Sequence, residues 1–186
     1  RLFFSLVLIA VSCIIMGAGI PTTATYIILV AVAAPALAQL GIEPLVAHFF
    51  VFYYGVLADI TPPVALAAYA ASGIAKSNPF KTGNTAFRLG IAKALVPFVF
   101  VYSPSLLLIT GEFQTNQLII TLIGTLIGIA LIGIAFSGYW FRPLKKFEQI
   151  IIGIGSLFFV APGIESMVVG LLITLPMLFL QFSKKN

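Results

Sequence analysis

The chain has 186 residues, of which 61% are apolar and 8% charged, with a mean hydropathy of +1.16 and a formal net charge of +5. A soluble domain carries about 25% charged residues, so this composition excludes a water-soluble fold and places the chain in a bilayer. The basic residues cluster between apolar stretches, the positive-inside pattern of cytoplasmic loops. That removes the nucleic-acid reading a net positive charge otherwise invites. Cys13, the lone cysteine, lies in an apolar run and has no partner for an internal disulfide.

From Leu2 to Ala75 there is no Lys or Arg, and the only acids are Glu43 and Asp59. The first apolar block, 2–40, exceeds the roughly 20 residues of one span. It is cut by Gly17-Ala18-Gly19-Ile20-Pro21-Thr22-Thr23, where two glycines and a proline disfavour a continuous helix. Two arms, 3–16 and 22–40, are expected to form a hairpin that enters the membrane and turns back, the alternative being one long kinked element. The second block, 45–75, is broken at Ala58-Asp59-Ile60-Thr61-Pro62-Pro63. The tandem prolines remove two N–H donors and push Thr61 out of the α region, which predicts half-helices over about 45–57 and 64–75.

Lys76, Lys81, Arg88 and Lys93 follow without an acid among them and predict a cytoplasmic loop, then a span over 91–110. The base-free stretch from Gly111 to Gln117 belongs outside, and 118–139 forms the next span. Its Gly124 and Gly128 have GxxxG spacing, read either as a close helix contact or as ordinary glycine use in a membrane helix. Arg142, Lys145 and Lys146 mark another cytoplasmic loop, with Tyr139 and Trp140 as interface anchors. The last block, 150–182, turns at Ala161-Pro162-Gly163 and ends in Lys184-Lys185, so both its ends belong in the cytoplasm, with two spans or a shallow hairpin between them. By alternation the loop at 41–44 lies outside and the first hairpin enters from there. Arg1 opens directly on an apolar run, which reads as a fragment whose upstream part is missing. The fold class is therefore all-α and integral to the membrane, a polytopic bundle with a re-entrant hairpin and a broken helix.

Paired breaks in neighbouring elements are the best sequence pointer to a transporter site. Unwound backbone at membrane depth exposes carbonyls and helix ends. Carbonyls and C-terminal ends suit a cation and N-terminal ends an anion. Thr22, Thr23 and Thr61 add hydroxyl oxygens, and Asp59 is the acid nearest mid-membrane, as cation ligand, proton acceptor or helix cap. Structural kinks explain the same spacing equally well. His48 has no ligand-spaced neighbour and suits packing or hydrogen bonding, and Glu165 sits in a turn. HExxH, GxSxG and P-loop signatures are absent from the sequence, so an enzyme is not expected. Two other classes stay open: an intramembrane enzyme using Asp59, and a structural subunit.

The run Gly17 to Tyr26, Ala34-Pro35-Ala36-Leu37, Ala47 to Tyr54, Ile60-Thr61-Pro62-Pro63-Val64, Pro97-Phe98 and Pro104 with Leu106 to Leu108 resemble the large membrane subunit of tripartite ATP-independent periplasmic (TRAP) transporters. The wording is similar to the subtype with fused small and large membrane domains, served by TAXI-type binding proteins. The resemblance spans roughly residues 3–110, more weakly the tail. It implies the C-terminal one of two inverted repeats of an elevator-type transporter (hairpin 3–40, broken helix 45–75, span 91–110), followed by a membrane extension over 111–186. It also implies sodium-driven import of organic acids such as dicarboxylates, a periplasmic binding protein and a small membrane domain as partners, and a multi-pass location in a bacterial or archaeal cytoplasmic (inner) membrane. The resemblance implies sodium as the coupling ion and no other cofactor or metal. Matching motif positions place Gly17, Gly19, Pro21, Thr22 and Thr23 at the hairpin tip and Asp59, Thr61, Pro62 and Pro63 at the break, together half of a sodium and substrate site.

Overall fold

The computed structural model describes residues 2–108 and 114–183. The Arg1 charge, the end of the expected span at 109–110, Gly111 to Phe113 of the expected outer loop, and the Lys184-Lys185-Asn186 tail lie outside the described residues. The structure is helical: α1 (Leu2–Gly17), α2 (Thr22–Gln39), α3 (Pro44–Ala58), α4 (Leu66–Ile74), α5 (Pro79–Gly90), α6 (Val96–Tyr102), α7 (Thr115–Ser137), α8 (Lys146–Val160) and α9 (Ile164–Ser183), with 3-10 turns at Ile91–Leu95 and Pro104–Leu107. Four helical runs are long and apolar enough to cross a membrane: Thr22–Gln39, Pro79–Tyr102, Thr115–Ser137 and Ile164–Phe182. The chain is an all-α polytopic membrane protein. Its outward faces agree with this: Phe4, Leu8, Ile15, Ile27 and Val32 are each more than 60% exposed, a surface suited to lipid or to another apolar membrane helix and not to water.

The chain divides into two compact units, Arg1–Val101 and Tyr102–Asn186. In the first, α1 and α2 form the expected hairpin. α1 ends at Gly17, Gly19 takes the left-handed conformation (φ +82°), and Pro21 occupies the N-cap of α2. α1 buries Leu6, Ala10, Cys13 and Gly17, a stripe at helical spacing. α2 buries Thr25, Leu29, Ala33 and Leu37. α2 closes with a Schellman motif, in which Gly41 N–H donates to the Ala38 carbonyl and Ile42 N–H to that of Leu37. Pro44 then starts α3 at its first turn. α3 packs on both arms through Phe50, Val51 and Tyr54, and the Tyr54 hydroxyl donates to the Ala94 carbonyl at 2.6 Å.

Two boundaries differ from the sequence expectation. The break after α3 is longer, because Ala65 adopts φ +38° and α4 begins only at Leu66. The basic stretch expected as a loop is helix α5, and the helical run continues to Tyr102 instead of spanning 91–110. The cause is local: Asn78 caps the helix by accepting from the Lys81 N–H at 3.0 Å, and Pro79 fits the first helical position.

In the second unit α8 packs against both α7 and α9, and the contacts run through glycine. A Cβ on Gly124 would lie 2.6 Å from the Phe159 carbonyl oxygen, and one on Gly128 would lie 2.6 Å from Val160 Cγ2. The GxxxG pair is thus a true close contact. Gly155 and Gly170 bring α8 and α9 together in the same way. α8, at 15 residues, is about 22 Å long, shorter than the roughly 30 Å hydrocarbon core. Gly163 (φ +100°) turns the chain into α9, and Glu165 is exposed in that helix's first turn.

Candidate functional site

The structure brings the hairpin tip and the helix break together. A Cβ on Gly17 would lie 3.1 Å from Ala58 Cβ, 3.0 Å from Thr25 Cγ2 and 3.4 Å from the Gly55 carbonyl oxygen. One on Gly19 would lie 3.4 Å from Val64 Cγ1. The C-terminal end of α1 therefore abuts the C-terminal end of α3, and a side chain at Gly17 would crowd Thr25, Ala58 and the Gly55 carbonyl. Helix C-termini carry partial negative charge from carbonyls that lack intrahelical donors. Two such ends side by side form an environment that favours a cation.

The break uses much of its own hydrogen-bonding capacity. Asp59, Ile60 and Thr61 donate their N–H groups to the Val56, Leu57 and Ala58 carbonyls, and the Thr61 hydroxyl donates to Leu57 O at 2.7 Å. Thr61 Oγ1 keeps its acceptor lone pairs. The Pro62–Pro63 peptide is cis, and the Pro63 carbonyl accepts from the Tyr69 hydroxyl at 2.6 Å. Asp59 is partly buried. It does cap α4, but through its backbone: the Asp59 carbonyl accepts from Ala67 N–H at 3.1 Å. Its carboxylate makes no hydrogen bond among the described residues.

At the tip, Pro21 O accepts from Thr25 N–H, and the Thr25 hydroxyl donates to Ile20 O at 3.1 Å. The carbonyls of Ala18 and Gly19 in the tip, and of Ile60 and Pro62 in the break, accept no hydrogen bond among the described residues. Thr22 and Thr23 are exposed on the first turn of α2, where N–H groups lack intrahelical acceptors. Neither of these hydroxyls bonds to the break among the described residues. The tip and break are joined by backbone and small side chains, and their hydroxyls are not.

Sequence reasoning passed over three contributors. Thr25 is fully buried and its methyl wedges between Gly17 and Gly55. Gly55, inside α3, lets α2 approach closely. Tyr69 clamps the break from α4. The signal for Thr25 was present, since it stands three residues inside the helix that follows the Gly-Pro cluster. His48 hydrogen-bonds with the Tyr26 hydroxyl through Nδ1 at 2.8 Å, as its isolation from other ligands implied, beside a cavity of about 590 Å³ lined mostly by apolar side chains.

The family described as Tripartite ATP-independent periplasmic transporter, DctM component, matches residues 1–115. The chain belongs to this family. No curated protein and no solved structure matches it. The match places this TRAP permease chain among transporters and contains both breaks; α8 and α9 lie beyond it.

Proposed function

We infer that this TRAP permease chain contributes one half of a sodium and substrate path, and that it works in the cytoplasmic membrane with a periplasmic binding protein and a small membrane subunit or domain. The observation that carries the reading is the contact of the hairpin tip with the break, with the C-terminal ends of α1 and α3 side by side. Carbonyls unengaged among the described residues at Ala18, Gly19, Ile60 and Pro62, with Thr61 Oγ1 close in sequence, supply the oxygen ligands a hard cation takes. The exposed first turn of α2, with Thr22 and Thr23, offers N–H and hydroxyl donors suited to the carboxylate of an organic acid such as a dicarboxylate. Sodium occupancy would draw the tip and the break together and complete the carboxylate's donors, so neither binds well alone. That is the thermodynamic content of coupling.

The test is uptake into liposomes holding the complete transporter, supplied with its binding protein and a labelled organic acid. Uptake is expected with an inward sodium gradient. Without sodium it is expected to fall to the level of empty liposomes. Equal uptake in potassium medium refutes the coupling, and uptake that does not require the binding protein refutes the partnership.

A further inference from the structure

Residues 60–108 contain four basic residues and no acid. The structure concentrates them on and beside α5. At 100° per residue, Lys81, Thr85 and Arg88 share one face of this helix, while Gly83 and Gly90 fall on the opposite one. Lys76, Lys81 and Arg88 are exposed. Large apolar side chains flank them: Ile74 is 88% exposed, Phe80 60% and Leu89 63%. From Ala94 to Leu108 there is no charge at all, so the helical run enters the apolar layer with its cationic end left at the headgroup level. Exposed aliphatic and aromatic groups beside a basic face, with the nearest acid in sequence, Asp59, half-buried at the break, match an anionic phospholipid surface in both charge and polarity. A phospholipid surface supplies the anionic and the apolar contact in one layer, with no need for a partner that pairs acids with an apolar patch at this spacing.

The glycine face of the same helix touches the break. A Cβ on Gly90 would lie 2.3 Å from Ile60 Cδ1, and one on Gly83 would lie 2.8 Å from Tyr69 Cε1. Tyr69 in turn holds the Pro63 carbonyl. A force on α5 from the lipid side therefore reaches the break through direct contacts on two sides.

We propose that the cationic face of α5 binds anionic phospholipid headgroups and that this occupancy orders the break between α3 and α4. The binding does not depend on the transport reading above. The experiment uses the complete transporter reconstituted in phosphatidylcholine with spin-labelled phosphatidylglycerol or spin-labelled phosphatidylcholine as probe. The native protein is expected to select the anionic probe. Lys76→Gln with Lys81→Gln is expected to lower that selectivity by about five-fold for each lysine removed. Lys145→Gln with Lys146→Gln, which removes equal charge from the C-terminal unit, is expected to leave most of it. Equal losses from the two pairs would mean diffuse charge attraction and overturn the site. Amide exchange across 59–65 is read in the same vesicles. Slower exchange when unlabelled phosphatidylglycerol is added, lost in the Lys76/Lys81 variant, is the expected result. Exchange that ignores the lipid overturns the link to the break whether or not sodium-driven uptake is observed.

Discussion

The two units of this chain each contain a helical hairpin turned by a Gly-Pro cluster, and they treat the turn's carbonyls in opposite ways. In the C-terminal unit the Ser166 hydroxyl sits 2.8 Å from Ala161 O, 3.1 Å from Pro162 O and 2.7 Å from Gly163 O, sharing its one proton among them. In the N-terminal unit the Thr25 hydroxyl donates to Ile20 O, and the Ala18 and Gly19 carbonyls stay unengaged among the described residues. The far end of the C-terminal unit is closed as well. Arg142 grips Glu148 with two N–H donors at 2.6 and 3.2 Å, and Glu148 also accepts from the Lys145 N–H and from Gln181 Nε2. Glu148 and Gln181 are fully buried. Similar turn chemistry thus serves a turn whose carbonyls are engaged by a neighbouring hydroxyl in one unit and an open, oxygen-lined junction in the other. Gly19 is exposed and Ala18, Ile60 and Pro62 are half-buried, so the open carbonyls are both accessible and available to a ligand.

The largest expected effect probes the C-terminal unit. Glu148→Gln leaves Arg142 without its counter-charge and should destabilise the α7–α9 bundle by about 3 kcal/mol, read as an earlier thermal transition of the purified transporter. Sodium dependence of uptake below that transition should be unchanged; a lost sodium response would erase the division of labour between the units. The same pair predicts acid sensitivity. The Arg142 hydrogen bonds, helped by the Lys145 N–H and opposed by burial, hold the Glu148 carboxyl below its ordinary value of 4.5. Its stabilising contribution is therefore complete above that value and is lost only as pH falls through the lowered one. The pH dependence of the Glu148→Gln variant should lack this acid limb.

Gly124→Ala tests the glycine contact, since the new Cβ meets backbone oxygen that cannot move aside. A loss of about 2 kcal/mol in thermal or denaturant unfolding is expected, and a neutral result would mean that α7 and α8 lie farther apart. Thr61→Val addresses the open junction. It removes a hydroxyl while conserving shape, and it should raise the sodium concentration for half-maximal uptake about five-fold, the worth of about 1 kcal/mol. Unchanged sodium titration with normal expression removes Thr61 from the site. The smallest effect belongs to Ser166→Ala: water reaches that turn, so a loss of about 0.5 kcal/mol is expected, and a larger one would show the turn to be sealed from solvent.

Composition and pattern determined the class of this protein, because a chain with so few charges has only the bilayer as solvent and only helices to satisfy its backbone there. They also located the hairpin and the break. Single prolines at Pro35, Pro97 and Pro176 lie within helices, while Gly17 to Pro21 and Pro62-Pro63 interrupt them. One missing N–H is tolerated, but several adjacent conformational constraints are not. The basic run 76–93 misled as a loop because charge marks the membrane's edge without saying whether the backbone there is coiled; the Asn78 cap decided that. Only the tertiary structure set Gly17 against Ala58, gave Asp59's capping role to its carbonyl, and paired the buried Glu148 with a half-buried Arg142. Those outcomes depend on which helix faces approach within a side chain's length, and spacing along one strand of sequence does not encode the distance between two of them.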